Sequence, residues 1–365
     1  MSKLFDFQNS LKDNHIPLTF VHNPQTIGYL TGFYSNPHER LLMLVLQDNE
    51  QPLLILPALD LEQAKQCTKN ITLLPHLDSD NAWELLANAL HHPQTTAALD
   101  KDYMSVSVFE KLQQALPNVT FSIDCSPIIE QIKYIKTEDE LALMREAGKT
   151  ADLAIQFAAR AFDTKKSEME IVAEIEYSLK KVGVSQMSFD TMVLRQPNAA
   201  NPHGTPGTDT LQWNEFVLLD LGTIHNGYAS DMTRTLFFGD TMSSRQKELY
   251  DLVLLAHHTA RDQFRIGMKA SELDKIARDI ITNAGYGEYF THRLGHGIGP
   301  SVHEFPSISS ASDVALIEGM CFSIEPGIYL PNDIGIRIED CFIVTKNGLE
   351  SLTHSSYNPD YTTFL

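Results

Sequence analysis

The sequence predicts an α+β protein in two parts: a smaller N-terminal α/β domain over 1–126, and a larger domain over 127–365 made of two similar halves. Three observations carry that reading. At 365 residues the chain exceeds what one simple core holds. Up to Asp124, short apolar runs of strand length alternate with segments whose apolar residues fall at helical intervals. Beyond Ser126-Pro127 an order of long helix, second helix, glycine and strand occurs twice.

PLTFVHN, RLLMLVLQ and PLLILPALD read as strands, while AWELLANAL and VSVFEKLQQALP space their apolar residues as helices do. That alternation predicts a compact α/β layer. VTFSIDC ends as a strand at Ser126-Pro127, which sets the boundary. TEDELALMREAGKTADLAIQFAARAF then opens on Thr137 with Glu140 three positions on, the pattern of a capping box. KKSEMEIVAEIEYSLKKVG follows and stops at Gly183. Downstream, SSRQKELYDLVLLAHHTARDQF and KASELDKIARDIITNAG repeat the order, with Ser271-Glu272-Leu273 echoing Ser167-Glu168-Met169 and Gly285 echoing Gly183. Helix pairs ending in glycine are common. If this one is a duplication, it describes two halves that each feed an antiparallel sheet, and a shared site would draw residues from both.

Composition excludes several function classes. Hydrophobic residues make up 43% and charged ones 21%, as in an ordinary globular protein. No apolar run approaches the roughly 20 residues a bilayer needs, and MSKLFDFQNSLKDN lacks the apolar core of a secretory signal. A cytoplasmic protein without a membrane partner is expected. Cys67, Cys125, Cys321 and Cys341 are scattered with no C-x-x-C pair, so they read as small core residues of a reducing compartment. The net charge of −19 opposes a phosphate backbone, which makes nucleic acid an unsuitable partner.

The chemistry starts at DLGTIHNGYASDMTRT. FVLLDLGT and YASDMTRTLFF are strand-like runs around Asn226-Gly227, a strong hairpin signal. With Asn-Gly as a two-residue turn, His225 faces Tyr228 and Asp220 faces Thr233; a register centred one residue earlier would set Asp220 opposite Asp231. In either register the two acids share a face, about 5 to 8 Å apart. Two close carboxylates repel unless protonated, paired or bridged by a cation, although an exposed pair of acids at a loop is the simpler alternative.

Further along, THRLGHGIGPSVHEFP surrounds His296 with Gly295, Gly297 and Gly299, removing bulk around the imidazole. His292 and His296 have zincin spacing, but residue 293 is Arg instead of Glu and the glycines oppose a helix, so that motif is rejected. Glu325 in MCFSIEPGIYL and Glu339 in IGIRIEDCFIV lie in apolar strand text, where an acid is costly without a partner. Each has a bland alternative, Glu339 pairing with Arg337 and Glu325 facing solvent beside Pro326. Asp220, Asp231, His296, Glu325 and Glu339 together offer oxygen and nitrogen ligands without a thiolate, which suits two divalent ions such as Mn²⁺, Co²⁺ or Zn²⁺. Such a pair activates water for hydrolysis.

In this order and spacing, DLGTIHNGYASDMTRT, HRLGHGIGPSVHE, SIEPGIY and GIRIED resemble the signature of the pita-bread metallopeptidases, the family of methionine aminopeptidase, aminopeptidase P and prolidase. The resemblance is firmest over the C-terminal domain, and PQTIGYLTGFYSNPHER extends it into an N-terminal domain similar to that of bacterial Xaa-Pro dipeptidases. It implies a pseudo-twofold pita-bread domain behind a creatinase/prolidase-like N-terminal domain. It implies that Asp220, Asp231, His296, Glu325 and Glu339 bind two ions, Mn²⁺ foremost, with Asp231 and Glu339 bridging both and Glu325 accepting the proton of the attacking water between them. His203 in NPHGTPG matches a loop histidine at the substrate, though an unremarkable loop histidine is the alternative. His303 matches the histidine that meets the carbonyl oxygen. Arg337 is expected to orient Glu339, two residues on, and His292 and Arg293 to lie near the substrate's carboxylate. The implied reaction is hydrolysis of Xaa-Pro dipeptides, with two rivals: an Xaa-Pro aminopeptidase acting on longer peptides, and a non-catalytic binding or regulatory protein of the same fold. Five competent ligand positions speak against the last, and against a metal-free creatinase-like hydrolase. Pro300 departs from the bulkier or acidic residue of many relatives and leaves the first-residue preference open. A homodimer is expected by analogy, with loop 33–40 reaching the neighbouring subunit's site.

Overall fold

The computed structural model describes residues 3–90 and 95–365 and divides into two compact units, Met1–Lys133 and Tyr134–Leu365. The first contains α1 (Lys3–Asp13), β1 (Leu18–Val21), α2 (Pro24–Thr31), β2 (Met43–Gln47), β3 (Leu53–Pro57), α3 (Leu61–Cys67), β4 (Thr72–His76), α4 (Ala82–Ala89), β5 (Thr96–Leu99), α5 (Val106–Ala115), β6 (Thr120–Asp124) and α6 (Ser126–Tyr134). Its sheet has the order β4-β3-β2-β1-β5-β6, with β2 antiparallel to both neighbours and the other pairs parallel. Alternate residues of β2 and β3 enter opposite cores: Leu44, Leu46, Leu54 and Leu56 one, Met43, Val45 and Ile55 the other. A sheet covered on both faces explains why these strands read as continuous apolar runs. Ile128 and Ile129 of α6 pack into the first of these cores, so this unit runs past Ser126.

The second unit begins with α7 (Glu138–Ala161) and α8 (Glu168–Lys181), then β7 (Met192–Arg195), α9 (Gln196–Ala199), β8 (Glu215–Leu221), β9 (Ile224–His225), β10 (Tyr228–Ala229) and β11 (Met232–Phe238). The order returns with α10 (Ser244–Gln263) and α11 (Ala270–Asn283). Seven strands follow: β12 (Gly295–Gly297), β13 (Glu304–Ile308), β14 (Cys321–Ile324), β15 (Gly327–Leu330), β16 (Ile334–Arg337), β17 (Asp340–Thr345) and β18 (Gly348–Ser351). Thr137 and Glu140 close the capping box of α7, and Ser167 with Glu170 that of α8. Gly183 and Gly285, at φ 96° and 88°, follow the ends of the second helices, in the left-handed region that favours glycine.

Each helix pair covers its own antiparallel sheet. Ile155 and Ile171 pack against Val217, Leu219 and Leu236 of the sheet β11-β8-β7. Val253 and Leu273 share a core with Phe322, Phe342 and Ile336, from the sheet β13-β12-β14-β17-β18 and the hairpin β15-β16. The duplicated text therefore corresponds to two halves of similar construction. In the β8–β11 hairpin Asp220 pairs with Thr233 and His225 with Tyr228. This is the register of the two-residue Asn226-Gly227 turn, whose residues both have positive φ, 47° and 86°. The alternative register is excluded. Among the described residues no helix is long and apolar enough to cross a membrane.

Candidate active site

Asp220 lies in β8 and Asp231 immediately before β11, so the first half contributes both aspartates. The second half contributes His296 from β12, Glu325 after β14 and Glu339 before β17. All five line one cavity of about 500 Å³, together with His203, His292, Arg293, His303 and Arg337. Every site residue read from the sequence thus meets at one place. Phe189, Met192 and Val302, which sequence reasoning had not singled out, add an apolar stretch of wall.

The hydrogen bonds of His296 define what the cluster lacks. The residue is 2% exposed, and Nδ1 lies 3.1 Å from the carbonyl of Gly297, which can only accept, so Nδ1 carries the proton. In a neutral ring Nε2 is then a lone pair, yet it faces Glu325 Oε1 at 3.2 Å and Asp231 Oδ2 at 3.6 Å. A lone pair aimed at two carboxylates requires a second proton or a cation. Among the described residues, Asp220 Oδ1, Asp231 Oδ1 and Glu339 Oε1 are buried with no hydrogen-bond partner. Leaving such atoms unpaired costs about 1–3 kcal/mol each, more for charged groups. Ligand atoms of Asp231, His296 and Glu339 lie within 4.8 Å of one another, near enough to hold one ion. The donor set, its unpaired oxygens and the imidazole held by its backbone bond all fit divalent metal.

Burial pushes the carboxyls of Asp231 and Glu339 well above their ordinary values, and the neighbouring acids push them further. Burial also raises Asp220, against the opposing pull of Arg337. Glu325 behaves differently: its bond to His296 and that ring's charge outweigh burial and hold it below the usual range. The same contacts overcome burial at His296 and raise it. Without a cation, the folded cluster therefore holds protons that bound metal would displace.

Arg337 corrects one expectation. β16 ends at this residue, and its side chain goes to Asp220 instead of to Glu339: Nη2 contacts Asp220 Oδ2 directly. Its hydrogen-bonded link to Glu339 among the described residues runs through Thr233, whose Oγ1 accepts from Arg337 Nε at 3.0 Å and donates to Glu339 Oε2 at 2.7 Å. Arg337 Nη1 also donates to the hydroxyl of Tyr329 at 2.8 Å. His292 completes the line. Its Nδ1 donates to the Arg293 carbonyl at 2.7 Å, so Nε2 accepts the Tyr329 hydroxyl proton at 2.9 Å. Tyr329 and Thr233 were invisible in the sequence because their roles depend on contacts between strands distant in the chain.

His303 projects from the segment before β13, its ring edge-on to His296 with centroids 4.1 Å apart. Burial, then the nearby His296 and Arg293, bring its pKa down to about 4, so the ring is neutral near pH 7. Arg293 makes one long hydrogen bond among the described residues, to Ser307 Oγ at 3.5 Å. The glycines around His296 do remove bulk, but what Gly295 and Gly297 admit is protein backbone. A Cβ on Gly295 would meet the Ser323 carbonyl, and one on Gly297 the Phe305 carbonyl.

Residues 142–346 match metallopeptidase family M24, and residues 4–135 match the creatinase/prolidase N-terminal domain. An Xaa-Pro dipeptidase of Lactobacillus delbrueckii subsp. lactis is 46% identical, the alignment covering 96% of each chain. The crystal structure of a recombinant prolidase from Thermococcus sibiricus superposes with a TM-score of 0.91 at 33% identity, covering 97% of this chain and 96% of that one. An X-Pro aminopeptidase structure from Thermotoga maritima MSB8 gives 0.86 at 29% identity, over 96% and 99%.

Proposed function

The chain belongs to metallopeptidase family M24, and from that premise we propose that it hydrolyses Xaa-Pro dipeptides and releases proline. The observation that carries the reading is His296 Nε2 held against two carboxylates beside three buried, unpaired acid oxygens, a cluster that calls for cations. Asp220, Asp231, His296, Glu325 and Glu339 would hold two divalent ions, with Mn²⁺ proposed and Co²⁺ or Zn²⁺ as alternatives. Bound there, such ions would supply the chemistry that makes water nucleophilic at neutral pH and polarises a scissile carbonyl.

The protein's own groups supply the rest. Glu325, kept ionised by His296, accepts the proton of the attacking water. His303, neutral and at the cavity, donates towards the carbonyl oxygen as charge develops there. His203 meets the same side of the substrate from its loop. Arg337 fixes Asp220 directly and Glu339 through Thr233, so both acids present their remaining oxygens to the cavity. Arg293, whose one hydrogen bond among the described residues is the long one to Ser307, suits a dipeptide's terminal carboxylate, with His292 beside it. The scissile nitrogen of an Xaa-Pro bond has no N–H, so peptidases that grip that hydrogen gain nothing from it.

Homodimerisation, with loop 33–40 restricting the neighbouring site, and a cytoplasmic location belong to the same proposal. Xaa-Pro aminopeptidase action is the second reading, supported by the likeness to the Thermotoga maritima enzyme. Hydrolysis of Leu-Pro and Leu-Pro-Pro, with Mn²⁺, Co²⁺ and Zn²⁺ supplied separately, tests both. Faster cleavage of Leu-Pro is expected. Preference for the tripeptide would establish the aminopeptidase instead, and a protein that binds no divalent ion and cleaves neither would be a binding module.

A further inference from the structure

We infer that Glu168, at the start of α8, is the positioning residue for the arch that carries His203. Its side chain is buried, with the residue 1% exposed. Oε1 accepts the Arg195 N–H at 2.7 Å; Oε2 accepts Asn198 Nδ2 at 2.9 Å and the Gly207 N–H at 2.6 Å. Asn198 Nδ2 also donates to the Thr205 carbonyl at 2.9 Å. One carboxylate oxygen therefore joins both feet of the segment Asn198–Gly207, and His203 stands between them. The backbone adds two ties, from Met169 N–H to the Gly207 carbonyl and from Glu168 N–H to that of Asp209, each 3.2 Å.

An acid in the first turn of a helix ordinarily serves that helix. Here the cap of α8 is already made by Ser167 and Glu170, and all three Glu168 side-chain bonds leave the helix for the His203 segment. The second half repeats the device. Asp274 of α11, fully buried, accepts the Leu294 N–H at 3.0 Å and pairs with Arg278, which donates to the carbonyls of Phe290 and His292 at 2.9 and 2.8 Å. In each half the second helix thus fastens its own cavity segment. A carboxylate suits Glu168 because all its partners are donors; a carboxamide would set its NH₂ against one of them.

The inference rests on the reading of His203 as a group that meets substrate. The test compares wild type, Glu168→Gln, His203→Ala and the double variant as Mn²⁺-loaded enzymes on Leu-Pro, with Asn198→Ala as a milder loosening of one foot. Misplacing a reacting group by about 1 Å costs up to ~100-fold, so Glu168→Gln is expected to lower kcat about tenfold with little change in KM. In the His203→Ala background the same change should cost less than about twofold, because the group it positions is gone. Losses that multiply would overturn the inference. So would a His203→Ala enzyme as fast as wild type beside a slowed Glu168→Gln. Amide exchange in the metal-free protein reads the arch independently: Glu168→Gln and Asn198→Ala should speed exchange at Gly207 about tenfold with the thermal midpoint kept, and unchanged exchange refutes the brace. Wild type inactive on Leu-Pro would refute the proposed function instead, leaving exchange to decide the arch.

Discussion

Two buried charge clusters lie back to back in the C-terminal unit, and they are built on opposite principles. Thr233 and Glu339 point to the cavity; their chain neighbours Arg234 and Asp340 point the other way. Behind the sheet, Asp340 is one acid among many donors: Arg234 Nη2 at 2.7 Å, Thr353 Oγ1 at 2.6 Å and Tyr357 OH at 2.8 Å. His257 Nε2 adds a contact at 3.2 Å, poorly aligned for a hydrogen bond. There burial pushes Asp340 up, but Arg234, His257 and Thr353 together outweigh it and hold the carboxyl well below the carboxylate range. On the cavity side, the ion contacts of the four acids among the described residues are with Arg337 and His296, and three of their oxygens have no hydrogen-bond partner there. Burial is common to both. What separates a structural charge from a poised one is whether the protein itself completes the coordination.

That contrast can be broken by exchanging one atom in each cluster. Asp231→Asn should cost at least ~10³-fold in Leu-Pro hydrolysis, on the order of 4 kcal/mol of barrier. The same variant should lose bound metal while its metal-free form keeps or gains thermal stability, because a neutral amide replaces an acid that burial and its neighbours keep from ionising. Loss of the metal-free fold would show that the cavity acids are structural after all. Asp340→Asn should do the reverse: about 3–5 kcal/mol of stability lost through the buried, unpaired Arg234, seen in calorimetry as a midpoint lower by roughly 6–20 °C. Its metal content at low temperature should match wild type. A stability change below about 1 kcal/mol would remove the distinction.

The smallest effect concerns a third kind of buried acid. Asp100, in the N-terminal unit, accepts the amides of His22 and Asn23 at 2.9 and 2.8 Å through one oxygen, while the other is unpartnered among the described residues. Burial raises it to about 6 from 3.8, so the folded protein keeps a proton that the unfolded chain releases. Stability of this unit should accordingly fall by roughly 3 kcal/mol as pH rises from about 4 through about 6. Protection of β5 amides, corrected for intrinsic exchange, reads the slope, and Asp100→Asn should flatten it. A slope retained in the variant would assign it to another group.

Much of the fold was legible because it is written in local periodicity. Thr137 with Glu140, the glycines after the second helices and Asn226-Gly227 are short-range signals that bias the backbone locally, and the structure agrees with them. The shared face of Asp220 and Asp231 followed from strand parity, which needs no knowledge of the partner. The pairing register needed the turn type as well. Arg337 meets Glu339 by another route than a shared strand face would give: β16 ends at Arg337 and β17 begins at Asp340, so the guanidinium turns to Asp220 and meets Glu339 through Thr233. Glu168 read as a helix-start residue, and nothing near it in sequence announces Arg195, Asn198 or Gly207 as partners. Contacts made across the fold are invisible to periodicity.

The alternation at Thr233-Arg234 has a consequence for how this gene can vary. Substitutions there alter one cluster at a time, whereas deleting a single residue within Met232–Arg234 would turn β11 over along part of its length. The guanidinium would then enter the acid cavity and Thr233 would face Asp340, so both clusters would fail together. Natural variation in this hairpin should therefore consist of replacements, with length changes confined to the Asn226-Gly227 tip, where an added residue can be absorbed before the strands resume.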